Sequence, residues 1–163
     1  SANAFAQTEI DLTLNALDQE VFVVTQLNID LAAPDMVVSN PGGLSETFCT
    51  VSTTERGSVG DISNSNVLGQ AKKAIESLVV VLPGPPPVHQ VAAAVPFDRE
   101  DPLFATTEMD YIGIIATSNC YLNIFSTNCT AAKGAAVRIY GYRAKMDAAG
   151  YAALVQSEVL SAN

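Results

Sequence analysis

The stretch VFVVTQLNIDL, Val21 through Leu31, decides the fold class. Val21, Val23, Leu27, Ile29 and Leu31 share one parity, while Gln26, Asn28 and Asp30 take the other. Successive side chains of a strand leave the backbone on opposite sides, so a period of two marks a strand with one apolar and one wet face. The same alternation lies upstream, where Ile10, Leu12 and Leu14 interleave with Glu9, Asp11 and Thr13. Residues 15–18 supply the turn between the two segments.

Working outward, Asn40-Pro41-Gly42-Gly43 is a turn signal. Residues 44–54 follow as a Ser/Thr-rich strand, and residues 56–66 as a polar loop. Residues 67–75 fit a strand or a short helix, and residues 77–82 read as a buried strand. Pro83-Gly84-Pro85-Pro86-Pro87 lacks the donors of a central strand and should form a surface polyproline elbow. Residues 88–95 resume as a small-residue strand, and residues 96–107 read as a loop. Residues 108–117, with Tyr111, Ile112, Ile114 and Ile115, read as the clearest core strand. Residues 120–125 are another strand, ahead of a polar loop over 126–134. Residues 135–146 are a long strand with Arg138, Tyr140 and Tyr142 on one face and Val137, Ile139, Gly141 and Arg143 on the other. Asp147 is suited to cap a helix that ends near residue 160, with Tyr151, Leu154, Val155 and Val159 at helical spacing.

Eight or nine short strands with no helices between them exclude parallel βαβ units, whose crossovers need longer connections. The expectation is an all-β chain, residues 1–163 forming a single antiparallel β-sandwich of jelly-roll type with a short C-terminal helix over 147–160.

Composition bears on what such a domain does. Hydrophobic residues make up 48 % of the 163, and charged residues only 15 %, against roughly 25 % in an ordinary soluble protein. Mean hydropathy is +0.24. A surface short of ions favours contact with other protein, because contiguous apolar patches usually mark interaction sites. The net charge of −9 and a pI near 4.3 oppose phosphate, so no direct nucleic-acid binding is expected. No apolar run reaches the ~20 residues of a membrane-spanning helix.

The residues offer little chemistry. His89 is the single histidine and has no nucleophile motif near it. No CxxC spacing, phosphate loop or dinucleotide fingerprint occurs. The expectation is a protein that is not an enzyme and takes no cofactor or resident metal. Asp98, Glu100, Asp101, Glu108 and Asp110 crowd one region and raise calcium as a question, without the spacing of a calcium loop. A carbohydrate site would want a tryptophan to stack on sugar, and there is none. Cys120 and Cys129 flank a short segment and would pair if that segment were a hairpin; the competing reading is three small buried thiols, Cys49 included. Asn128-Cys129-Thr130 has the form of a glycosylation sequon. Arg138, Arg143 and Lys145 gather near Tyr140 and Tyr142. Three cations in so acidic a chain are too few for a nucleic-acid stripe, whereas arginine and tyrosine favour protein interfaces. Arg138, Tyr140, Tyr142, Arg143 and, on the helix, Tyr151 are therefore the candidate interface residues.

In its Ser/Thr/Asn-rich strands, Pro/Gly-rich corners, low charge and odd cysteines, nearly the whole chain resembles a single jelly-roll capsid protein of an icosahedral virus. The resemblance implies a structural subunit of a virion, self-assembling with copies of itself. Residues 1–18 contain no Lys or Arg, unlike the basic arm of capsid proteins that touch a genome. A second structural protein or an internal membrane would then lie between shell and genome. The alternative expectation is an extracellular filament or cell-surface-layer subunit, with residues 5–14 inserted as a strand into the next copy.

Overall fold

The computed structural model describes residues 2–35, 43–99, 103–104 and 110–160. In chain order its elements are β1 (Ala6–Asp11), β2 (Glu20–Leu31), β3 (Leu44–Ser52), β4 (Val67–Leu82), β5 (Val88–Arg99), β6 (Leu103–Phe104), β7 (Gly113–Ile115), β8 (Asn119–Thr127), β9 (Ala135–Lys145) and α1 (Ala148–Leu160). The chain is mostly antiparallel β-structure in two sheets with one C-terminal helix.

The first sheet runs β1-β8-β3-β4-β5. In the second, β9 pairs with β2 from Glu20 to Leu31, while β6 and β7 share the opposite edge of β2. The pairs β1–β8 and β2–β9 interleave in chain order, one in each sheet, whereas β3, β4 and β5 run as a meander. Val24, Leu27, Val51, Ile115 and Cys120 meet between the sheets, and Leu31, Cys49 and Ala71 extend that core.

The central strand departs from simple alternation. The β2–β9 register shifts between Val24 and Gln26, leaving Thr25 as an extra residue. Such a bulge reverses which parity faces inward. Beyond it, Leu27 and Ile29 face the core; before it, Phe22 and Val24 do. Val21 and Val23, expected in the same row as Leu27, instead point to the opposite face and pack with Ala116 under Tyr151, Leu154 and Val155 of the helix. The helix thus exists to cover an apolar outer patch that the bulge creates. Asp147 caps it, accepting the Gly150 N–H at 3.1 Å.

The first turn forms as expected: Asn15 accepts the Leu17 N–H at 3.1 Å and leads a 3₁₀ turn over Ala16–Asp18. Three other expectations change. Residues 77–82 are the end of a sixteen-residue β4, and Val80, Val81 and Leu82 are exposed. Of the core strand expected over 108–117, the described residues form strand at Gly113–Ile115, and Tyr111 is exposed. Strand β5 continues through Arg99 into the region expected as loop. The turn at 40–42 lies outside the described residues.

On the outer side of the first sheet, polar groups satisfy one another. Gln7, Asn123 and Thr50 are cross-strand partners in one row. Gln7 donates to Asn123 at 2.8 Å, Asn123 donates to Ser52 at 2.9 Å, and Thr50 donates to the Val59 carbonyl. The segment after β3 lies over this row, so buried Thr50, Ser52 and Asn123 keep their hydrogen bonds.

Candidate interaction surfaces

Strand β9 separates the five expected interface residues into two groups. Arg138, Tyr140 and Tyr142 alternate with the core-packed Val137 and Ile139, so they stand on the outer face of the second sheet. Tyr140 is 40 % and Tyr142 54 % exposed. A hydrogen bond to the Tyr140 phenol pushes the Arg138 guanidinium up from its ordinary value, so arginine and tyrosine stand as one unit. Neighbours on this face are Asn28 and Gln26, paired with Arg138 and Tyr140. The result is a polar and aromatic surface around Arg138, with Asp30 in the same row, paired with Ala136.

Arg143 and Tyr151 do not belong to it. Arg143 turns to the chain's own first connection, donating to the Leu12 carbonyl at 3.0 Å and to the Thr13 hydroxyl at 2.7 Å, with Glu20 at 3.9 Å. Tyr151 packs into the apolar patch beneath the helix and donates to the Ala116 carbonyl at 3.4 Å. Tyr151 fills the apolar patch that the bulge in β2 leaves to the helix, while Arg143, about half exposed, is tied to the first connection. Val159, expected in the packed stripe, is exposed.

The cysteine pair is also corrected. Residues 121–127 are one uninterrupted strand rather than a hairpin. At about 3.3 Å per residue, Cys120 and Cys129 lie on the order of 25 Å apart along it, against the roughly 4.4–6.8 Å that a bridge spans. All three thiols are free and buried. Burial pushes Cys49 up to about 12 and Cys120 up to about 11. In the sequon, the Asn128 amide donates to the Leu44 carbonyl at 2.8 Å and the Thr130 hydroxyl to Asp35 at 2.7 Å.

Two features carried weaker sequence signals. The first is Glu158, 6 % exposed, whose carboxylate accepts the Ala116 and Thr117 N–H groups at 3.0 Å each. Desolvation pushes its pKa up against the pull of those donors. It was legible only as the single charge of the helix after its cap. Glu158 also borders a cleft of about 220 Å³ beside Asn66, Leu68 and Leu154, smaller than the ~300–1,000 Å³ of ordinary ligand sites.

The second is the hairpin made by the far ends of β4 and β5. Strand β3 stops pairing with β4 at Glu76, so residues 78–82 pair only with β5 among the described residues. Val80, Val81, Leu82, Val88 and Val95 are exposed on this ribbon. No Lys, Arg, Asp or Glu occurs from Ser77 to Phe97. That gap in charge was the available signal; it read as burial because an apolar run is equally what a covered strand shows.

Among the described residues, no group of three or more His, Cys, Asp or Glu side chains is placed to hold a metal ion. Glu100, Asp101 and Glu108 of the acidic cluster lie outside them. Among the described residues no helix is long and apolar enough to cross a membrane. No family model, curated protein or solved structure matches the chain.

Proposed function

We propose that this chain is a structural subunit that assembles with copies of itself into a closed virion shell, as a sandwich of jelly-roll type. One observation carries the reading: two separate exposed surfaces suited to protein contact lie on different sheets, the Arg138–Tyr140–Tyr142 face and the uncharged β4–β5 ribbon. A single self-complementary patch stops at a dimer. Two unlike patches let each copy hold more than one neighbour, which a lattice or shell requires. A chain of net charge −9 suits contact with protein better than with a genome. A second structural protein, or an internal membrane, would stand between shell and nucleic acid.

Electron microscopy and sedimentation of the purified chain test this. Closed shells or ring-shaped capsomers are expected. A species that stays monomeric at high concentration in every buffer overturns it.

A filament or cell-surface-layer subunit built by strand exchange is the second reading. It is favoured by β1, an edge strand that among the described residues pairs with β8 alone, with Asn119 of β8 donating to Glu9. Deleting residues 1–14 separates the two. Loss of polymer with a folded monomer supports exchange; loss of folding assigns β1 to its own sheet.

A further inference from the structure

Among the described residues the far ends of β4 and β5 form a two-stranded ribbon beyond the rest of their sheet, and such a ribbon is marginally stable in water unless something covers it. The β4–β5 ribbon carries exposed valine or leucine on both faces, with Gln90 paired to Val80 and His89 to Val81. Val80 and Leu82 alternate with Val81, all three exposed, and Val88 stands opposite Leu82 at 57 % exposure. We propose that this ribbon is a self-association arm, and that its partner is the same ribbon of a second copy of this chain, related by a two-fold axis.

Charge selects that occupant. Each copy carries −9, yet the 21 residues from Ser77 to Phe97 carry no Lys, Arg, Asp or Glu. Residues 77–82 extend about 20 Å at the usual strand rise, roughly twice the screening length at physiological salt. Arms that meet near their tips therefore join two acidic bodies while holding them beyond the reach of most of their repulsion. A two-fold contact sets the residues nearest its axis beside their own copies, where any charge meets its like; an uncharged ribbon avoids that cost. A lipid bilayer suits the arm less well. Interfacial segments carry Trp, Tyr, Lys or Arg at the headgroup level, and residues 77–97 contain none of these. Edge-to-edge extension through β5 is also disfavoured, because the register shift between Leu78 and Val79 and Pro96 both interrupt that edge. The faces of the arm, with Val80, Val81, Leu82 and Val88 exposed on them, are the contact proposed.

The inference deepens the shell reading, since an arm contact is one of the contacts a shell needs, but it stands or falls on dimerisation alone. Two reciprocal pairs test it: Leu82→Lys with Leu82→Glu, and Val81→Lys with Val81→Glu on the opposite face. Circular dichroism and melting first confirm that each variant folds. Sedimentation velocity on the full chain then reads association. Each variant alone should dimerise at least about tenfold more weakly than the parent, and an equimolar mixture of at least one Lys/Glu pair should recover dimer. Variants that dimerise as the parent does overturn the arm while leaving the shell reading intact. Parent dimers that never form shells overturn the shell and leave the arm. Weakened association with no recovery in either mixture overturns the two-fold arrangement. So does a parent that floats with phosphatidylcholine vesicles while Leu82→Lys does not.

Discussion

The ring of Phe22 lies against Gly141 across the β2–β9 ladder: a methyl group at residue 141 would sit 2.7 Å from the ring and 2.1 Å from the Val23 carbonyl oxygen. The contact is next to the bulge at Thr25, where β2 exchanges its inward parity. Glycine is what lets the ring of Phe22 pack into the core beside Val24.

Gly141→Ala should therefore destabilise the fold, because backbone on β2 would have to move. Overpacking of this kind costs about 1–3 kcal/mol, or several degrees of melting temperature in a chain of this size. Thermal unfolding by circular dichroism checks it. An unchanged melting temperature would mean the strands separate there at no cost.

Glu158 should make the helix sensitive to pH. Its carboxyl is raised from an ordinary value of 4.5 by burial. Above 4.5 the folded chain holds a proton that the unfolded chain has released, so stability from this group is present at acid pH and declines as pH rises through the folded value. Glu158→Gln stays neutral throughout. The parent melting temperature should fall relative to this variant as pH rises above 4.5 and through the raised folded value, and parallel curves would reject the assignment. Glu158→Ala should lower stability at every pH, since two N–H groups lose their acceptor at about 1–3 kcal/mol each.

The thiols should be inert in the folded chain. With Cys49 near 12 and Cys120 near 11, little thiolate exists at pH 8. Neither should react with iodoacetamide until denaturant is added, when all three cysteines become available. Mass spectrometry under non-reducing conditions should find no Cys120–Cys129 bridge.

The outer tyrosine face separates assembly from folding. Tyr142→Ala and Arg138→Ala should block assembly while leaving the melting temperature of the free subunit nearly unchanged, because tyrosine and arginine at an interface centre typically cost about 2 kcal/mol or more on truncation. Tyr151→Ala should do the reverse, lowering stability by loosening the helix from Val21 and Val23. If Tyr142→Ala unfolds the monomer instead, the face is core.

The sequence by itself determined the local choices. Alternation in Val21 to Leu31 and in residues 135–146 marked strands, because side-chain direction in a strand depends only on the residue's own backbone. Asn15 marked the first turn and Asp147 the helix start, since each cap bonds to a backbone group a few residues away. The separation of Arg138, Tyr140 and Tyr142 from Val137 and Ile139 was legible for the same reason. Only the tertiary structure decided what covers each face. The extra residue Thr25 moved Val21 and Val23 out of the row they seem to share with Leu27. A bulge needs a partner strand to be counted against, and one strand's pattern has no partner in it. Arg143 and Tyr151 found partners within the chain because the Leu12 and Ala116 carbonyls lie far from them in sequence and close in space. Residues 77–82 read as buried because apolar content reports a need for cover. Among the described residues the cover depends on how far β3 pairs along β4, and that pairing stops opposite Glu76.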